Sequence, residues 1–388
     1  MPHEPGPVER ILSGFPASEL DALGEMRRDL HRHPETAFEE SRTAAKVSDA
    51  LRVLGLSPRN GVGRTGVTAD LRAGGNRLLV RADMDGLPLT EASGVDFESE
   101  ISGRMHACGH DGHVAIALAV AARLTRDPAD RPVRFVFQPA EERGGGARAC
   151  VADGVLEGVG AAVGLHLWNQ LPVGRVGVNR GALMAAVDEF EIHVEGRGGH
   201  GAAPHEATDP IVAAARIIEA VQTIVSREIS PQDAAVVTIA SVHGGDAFNV
   251  IPSDVRMTGT ARWFREATGD AIATKLERIV SATAAAAGVS ARLDYRRINR
   301  PTVNDPAVAD VVIEAARELL GEENVDTDTR TMGGEDMSVY LDRVPGCFFF
   351  VGSAPAGEHR PHHSPRFAID ERALAIGVTL LDAVVRRL

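Results

Sequence analysis

From Ser18 to Leu54 apolar residues recur at helical spacing, broken once by His33-Pro34 and stopped by Gly55, which predicts two helices. Three short apolar runs follow, each ending in polar residues. Leu78 to Arg81 leads into Asp83-Met84-Asp85, Val133 to Phe137 into Gln138-Pro139-Ala140-Glu141-Glu142, and Ala162 to Leu165 into His166. A helical stretch from Val114 to Leu124 intervenes, so this part reads as α/β. Near Ala185 the rhythm changes. Val187 to Glu195 alternates as a strand, Asp209 to Arg227 is helical, Ala235 to Val242 and Val255 to Trp263 read as strands, Arg265 to Ala286 as a helix, and Val289 to Arg296 as a last strand. That order is β-α-β-β-α-β, the ferredoxin-like pattern. A helix from Ala307 to Leu320, an apolar strand from Cys347 to Val351 and a helix from Glu371 to Leu388 then resume the α/β character. The expectation is a discontinuous α/β domain, residues 1–184 and 298–388, with a small domain at 185–297 inserted into it.

In open α/β sheets ligands bind outside the carboxyl ends of the strands, where Asp83, Asp85, Glu141, Glu142 and His166 are predicted to fall. A more concentrated signal lies between two of those strands. Met105 to His113 reads MHACGHDGH, which puts Cys108 two residues before His110. Thiolate and neutral imidazole are strong ligands for zinc-like ions, and no second Cys/His pair stands nearby to close a structural site. An open, catalytic metal site completed by distant residues is the expectation. The adjacent carboxylates Glu141 and Glu142 would repel each other without a cation beside them. One suits a metal and the other suits proton transfer.

Each residue also has a plainer reading. Glu141 and Glu142 read as a solvated pair, His166 as a core histidine, and Asp83 and Asp85 as turn residues in Asp-x-Asp-Gly. The apolar strand ahead of the glutamates and the placement of the others at strand ends favour the site, with Asp83 and Asp85 orienting imidazoles from behind. His359, His362 and His363 lie in a proline-punctuated loop that offers a closing ligand. His200, in the glycine-rich EGRGGHGAAPH, follows a strand where backbone can approach a ligand closely. Asn249 in FNVIP and Arg262 in GTARWF carry weaker signals, and His31 and His33 read as support.

The 388 residues, 44% hydrophobic and 24% charged, are ample for two cores. A net charge of −13 leaves no basic patch, which argues against nucleic acid and anionic membrane as partners. Cys108, Cys150 and Cys347 are too few and scattered for a disulfide framework, and the N-terminus has no basic start before an apolar run. A reduced, cytoplasmic protein is expected.

Eight segments occur in order: RADMDGLP (81–88), MHACGHDGH (105–113), QPAEE (138–142), GLH (164–166), GRGGHGAAPH (196–205), NVIP (249–252), MGGEDM (332–337) and HHSPRF (362–367). Together they closely resemble the dimetal N-acyl-amino-acid amidohydrolases: hippurate hydrolases, bacterial aminoacylases and plant auxin-conjugate hydrolases of the carboxypeptidase G2-like metallopeptidase superfamily. The resemblance implies a two-domain α/β fold, a mixed-sheet catalytic domain of metallo-exopeptidase type carrying an inserted ferredoxin-like α+β dimerisation domain. It implies two divalent ions per chain, from among manganese, zinc, cobalt and nickel. Cys108 would bridge them, with His110 and Glu142 on one ion and His166 and His363 on the other. It further implies Glu141 as general base, His200 as a catalytic histidine lent across a homodimer or dimer-based oligomer, and Asn249 and Arg262 near the substrate.

The activity so implied is hydrolysis of the amide bond of an N-acyl amino acid. A water between two ions loses its proton readily, Glu141 accepts it, and the hydroxide attacks the carbonyl. His200 would help stabilise the oxyanion, and Glu141 would return the proton to the leaving amine. A dipeptidase is the nearest alternative. A noncatalytic metal-stabilised binding protein is a third, and the spare carboxylate of Glu141-Glu142 speaks against it.

Overall fold

The computed structural model describes residues 5–388. They divide into two compact units: the described residues up to Leu183, Thr302–Arg330 and Asp336–Leu388 form the first, Met184–Pro301 and Thr331–Glu335 the second.

The first unit is built on an eight-stranded mixed sheet. Its centre holds β1 (Arg77–Asp83), β2 (Val133–Gln138), β3 (Val159–Pro172) and β4 (Gly346–Ala354), all mutually parallel, in the order β2-β1-β3-β4. Gly66–Leu71 runs antiparallel to β2 and extends the sheet outward. These central strands are apolar on both faces, and Phe135, Phe137, Phe348, Phe349 and Phe350 are all fully buried. Each such side chain contributes roughly 1.5–3 kcal/mol on burial, which holds the strand ends in fixed register.

Two differences from expectation bear on the site. Helix α1 spans His110–Arg126, starting four residues before the predicted stretch. Gly109 takes a left-handed conformation (φ 89°) and turns the chain into the helix directly after Cys108. His110 therefore sits on a rigid first turn, not in a loop. Strand β3, expected to end before His166, continues to Pro172 because β4 pairs with it through Trp168 and again at Pro172. His166 thus lies mid-strand. It still stands level with the end of β1, since Arg81 pairs with Gly164. The predicted pair of N-terminal helices is observed as Ala17–Arg32 and Ser41–Val53, separated at His33-Pro34.

In the second unit, Ala186–Glu195, Ala235–His243, Asp254–Trp263 and Ser290–Asn299 form an antiparallel sheet in which the first strand lies between the last and the third. With helices Pro210–Thr223 and Glu266–Ala287 this is the ferredoxin-like arrangement, folded over its own core around Phe190, Met257 and Trp263. Thr331–Glu335 belongs here because Ala185 N–H donates to the carbonyls of Thr331 (3.1 Å) and Gly333 (2.9 Å).

Candidate metal centre

Five side chains from four separate stretches of the first unit bring their donor atoms together around Cys108. Cys108, His110 and His166 form one group, and Cys108, Glu142 and His363 another, with donor atoms in each within 4.8 Å of one another. The thiol belongs to both. His166 Nε2 lies 3.5 Å from Cys108 Sγ, and His363 Nε2 lies 3.2 Å from Glu142 Oε1. These two groups put His110 with His166 and Glu142 with His363, while a third, of His110 with Glu141 and Glu142, also brings together the His110 and Glu142 that the resemblance pairs. His110 starts α1, while His363 comes from the loop between β4 and the C-terminal helix Arg372–Arg387. His110 also falls within 4.8 Å of the Glu141-Glu142 pair, so Glu141 stands at the edge of the cluster.

The ring nitrogens are presorted for coordination. His110 Nδ1 donates to the Asp85 carbonyl (2.8 Å) and His166 Nδ1 to the Leu167 carbonyl (2.7 Å), which leaves the two Nε2 atoms as the unprotonated donors of the neutral rings. His110 Nε2 is buried with no directed hydrogen bond. Orphaned polar atoms of that kind are costly unless a ligand satisfies them. His363 has the left-handed φ of 59°, rare outside glycine, with its N–H held by the Ala107 carbonyl (2.9 Å). The mixed S, N and O donors suit borderline divalent ions.

The electrostatics agree. Burial and the nearby Glu142 push the Cys108 thiol up. Hydrogen bonds to Cys108 and Glu142 push His363 up to about 10. Burial opposes charge on His110, but Asp83 and Cys108 outweigh it and hold its pKa well above that of a free imidazole. The cluster therefore attracts positive charge, and a divalent ion meets that demand while freeing the donors of protons.

The two aspartates of RADMDGLP have different tasks. Asp83 accepts from His113 Nδ1 (2.6 Å) and from Arg81 Nη1 (2.6 Å). Burial favours its neutral form, yet Arg81, His110 and His113 hold its carboxyl well below the usual range. Asp85 uses its two carboxylate oxygens to receive the N–H groups of Glu141 (3.0 Å) and Glu142 (3.1 Å). His113 bonds Asp83 through one nitrogen and takes the Leu167 N–H (2.9 Å) with the other. Neither nitrogen is left over. His362 donates to the Leu167 carbonyl (3.0 Å) and packs on Trp168, while His359 is exposed. His363 alone of the three joins the cluster.

Several supporting residues were not singled out from sequence. Buried Arg81 also bonds Gln138 (3.0 Å) and Asp336 (2.9 Å), and Asp336 receives Gln138 Nε2 (2.8 Å) and the Ala147 N–H (2.9 Å). Breaking such a buried pair typically costs about 3–5 kcal/mol, so the ends of β1 and β2 are locked. Asp111 takes Arg27 (2.9 Å) and His31 (2.8 Å), while His31 also reaches Glu91 (3.0 Å), fixing the first turn of α1. Asn169 Nδ2 clamps the carbonyls of Arg360 (2.7 Å) and Ala368 (2.8 Å), at both ends of the loop that carries His363. The motifs RADMDGLP and MGGEDM contained Arg81 and Asp336; their partnership was the hidden part.

His200, Asn249 and Arg262 lie in the second unit. Gly199–His200 pairs with Val250–Ile251, and Gly201 N–H donates to the Asn249 carbonyl (2.8 Å). His200 and Asn249 line one open cleft of about 1240 Å³. Arg262, on Asp254–Trp263, bonds Thr260 (3.1 Å) and is not part of that cleft's lining.

Residues 79–387 match the profile of peptidase family M20/M25/M40. The chain belongs to this family. Among curated M20 relatives it is 38% identical to the N-acetyl-L-cysteine deacetylase of Bacillus subtilis (strain 168), over 94% of this chain and 87% of that one. It is equally 38% identical to thermostable carboxypeptidase 2 of Saccharolobus solfataricus, over 92% and 93%. Among solved structures, a Bacillus subtilis protein described as a dinuclear metal binding peptidase from the M20 family superposes with a TM-score of 0.83 at 35% identity, covering 96% of this chain and 99% of that one.

Proposed function

We propose that this M20 protein hydrolyses the amide bond of N-acyl amino acids, releasing a carboxylic acid and a free amino acid. The observation that carries the reading is the Cys108 thiol shared by two ligand groups, with a further carboxylate, Glu141, beside them. Cys108, His110 and His166 would hold one divalent ion, and Cys108, Glu142 and His363 the other, in line with the metal content named for the Bacillus subtilis structure. When bound there, such ions would supply Lewis-acid chemistry that lowers the pKa of a water and polarises a carbonyl. Glu141 takes the proton of the attacking water and delivers it to the departing amine. Asp85 holds the amides of both glutamates, which keeps the base from wandering off line.

The substrate class draws on the relatives. A deacetylase of an N-acetyl amino acid and a carboxypeptidase both cut an amide whose nitrogen belongs to an amino acid with a free carboxylate. They differ in the acyl side. A hydrolysis screen of N-acetyl, N-benzoyl and indole-acyl amino acids beside dipeptides, with metal-reconstituted protein, tests the choice. Acyl amino acids are expected to be cleaved faster; cleavage of dipeptides alone would overturn it.

A homodimer through the second unit completes the reading. Phe248 is fully exposed there, with Val242, Val250, Ile211 and Val212 also exposed, and Ala235–His243 is an open sheet edge. Exposed apolar side chains and a free sheet edge in one unit suit a second copy of the chain. His200, paired with Val250 two residues beyond Phe248, would then reach the partner's metal centre and stabilise the oxyanion, with Asn249 and Arg262 serving the substrate. Mixing inactive Glu141→Ala chains with inactive His200→Ala chains is expected to restore part of the activity. Proven heterodimers with no recovery would place His200 in its own chain's site. No helix among the described residues is long and apolar enough to cross a membrane. We place the protein in the cytoplasm, where reduction keeps Cys108 available as a ligand.

A further inference from the structure

Ala140, immediately before the Glu141-Glu142 pair, has a left-handed backbone with φ 53°. For a residue with a side chain this conformation costs roughly 1–2 kcal/mol and persists only where the surroundings hold it. Three consecutive N–H groups leave this turn, and all three end on carboxylates. Asp85 receives those of Glu141 and Glu142. The first, from Ala140, goes to Glu40 Oε1 at 2.9 Å.

Glu40 comes from the distant N-terminal stretch, just before the helix Ser41–Val53, and is fully buried. Its Oε1 also takes the Phe38 N–H (3.0 Å), and its Oε2 takes the Thr65 hydroxyl (2.5 Å). Among the described residues these donors, not an arginine or lysine, satisfy it. Burial pushes its pKa up, and the Thr65 hydroxyl and the backbone donors work against that. A buried carboxylate without a counter-ion is destabilising unless its hydrogen bonds do something the fold needs.

We propose that Glu40 is a positioning residue: by pinning the Ala140 N–H it sets the direction in which Glu141 and Glu142 leave the turn. The inference rests on the roles given to those two residues above. Glu40 touches no reacting atom and acts through Ala140. The role demands reach, not charge. Glutamine keeps an oxygen at the same reach without the charge, whereas aspartate keeps the charge and falls one methylene short. A purely electrostatic role predicts the opposite order of damage, and a purely structural one predicts lower melting temperatures with parent-like kinetics.

The test compares Glu40→Asp with Glu40→Gln, two conservative changes, by Co²⁺ titration of metal-free protein and by kinetics at saturating metal. Glu40→Asp is expected to bind one of two Co²⁺ ions about 10-fold more weakly and to lose roughly 10- to 100-fold in kcat, the range typical of residues that orient ligands from behind. KM should stay near the parent value, and Glu40→Gln should resemble the parent in both measurements. Parent-like Co²⁺ binding and kcat in Glu40→Asp, or equal damage in both variants, would overturn the proposal. Should the parent cleave no amide in the screen, the functional reading falls while the Co²⁺ titration still decides Glu40.

Discussion

Glu141→Ala is expected to keep both metal ions and lose hydrolysis by about 10²–10⁴-fold in kcat, the usual contribution of a positioned general base. The structure explains the separation of the two effects. Glu142, one residue on, is in the Cys108–His363 group, whereas Glu141 joins only a group at the cluster's edge with His110 and Glu142 among the residues assigned as ligands. The backbone that carries both is held by Asp85 through amides, which the substitution leaves in place. Metal analysis beside steady-state kinetics checks it. A variant with parent-like kcat would remove Glu141 from the mechanism, and a variant stripped of metal would make it a ligand.

Cys108→Ala is expected to lose tight binding of both ions, because its thiol is the donor common to the two groups. Hydrolysis should fall to background as a consequence. Since ligands that bind only the folded state stabilise it by mass action, metal should raise the melting temperature of the parent and leave that of Cys108→Ala nearly unchanged. Two tightly held ions per variant chain would refute the shared role. Cys150 and Cys347 are buried outside these groups, and replacing either by alanine should leave metal content intact.

Much of this centre was legible along the chain. The C-x-H step, the doubled glutamate and the apolar runs that end beside them express rules of local spacing and strand-end placement. His166 shows where such reading stops. Its apolar run was expected to end before it, but β3 goes on to Pro172, because a strand ends where its pairing partner stops and β4 lies nearly two hundred residues away in sequence. His110 was likewise expected ahead of its helix. Gly109 turns the chain one residue after Cys108, and the helix begins at once.

The supports were the least legible. Glu40, Arg81, Asn169 and Asp336 are ordinary residues in sequence, and each acquires its task from a partner far along the chain. Which donor atoms come together was also invisible, since the groups around Cys108 depend on the direction from which each element arrives.

By itself the sequence determined the α/β and ferredoxin-like elements, the residue types able to bind divalent metal, and the family, since these reside in periodicity and short-range order. Only the tertiary structure decided that Cys108 lies between His110-His166 and Glu142-His363, that the His110 and His166 rings offer Nε2, and that Asp85 and Glu40 hold the glutamates. Coordination and hydrogen bonding act over about 2–3 Å, and proximity at that scale between distant parts of a chain is created by packing.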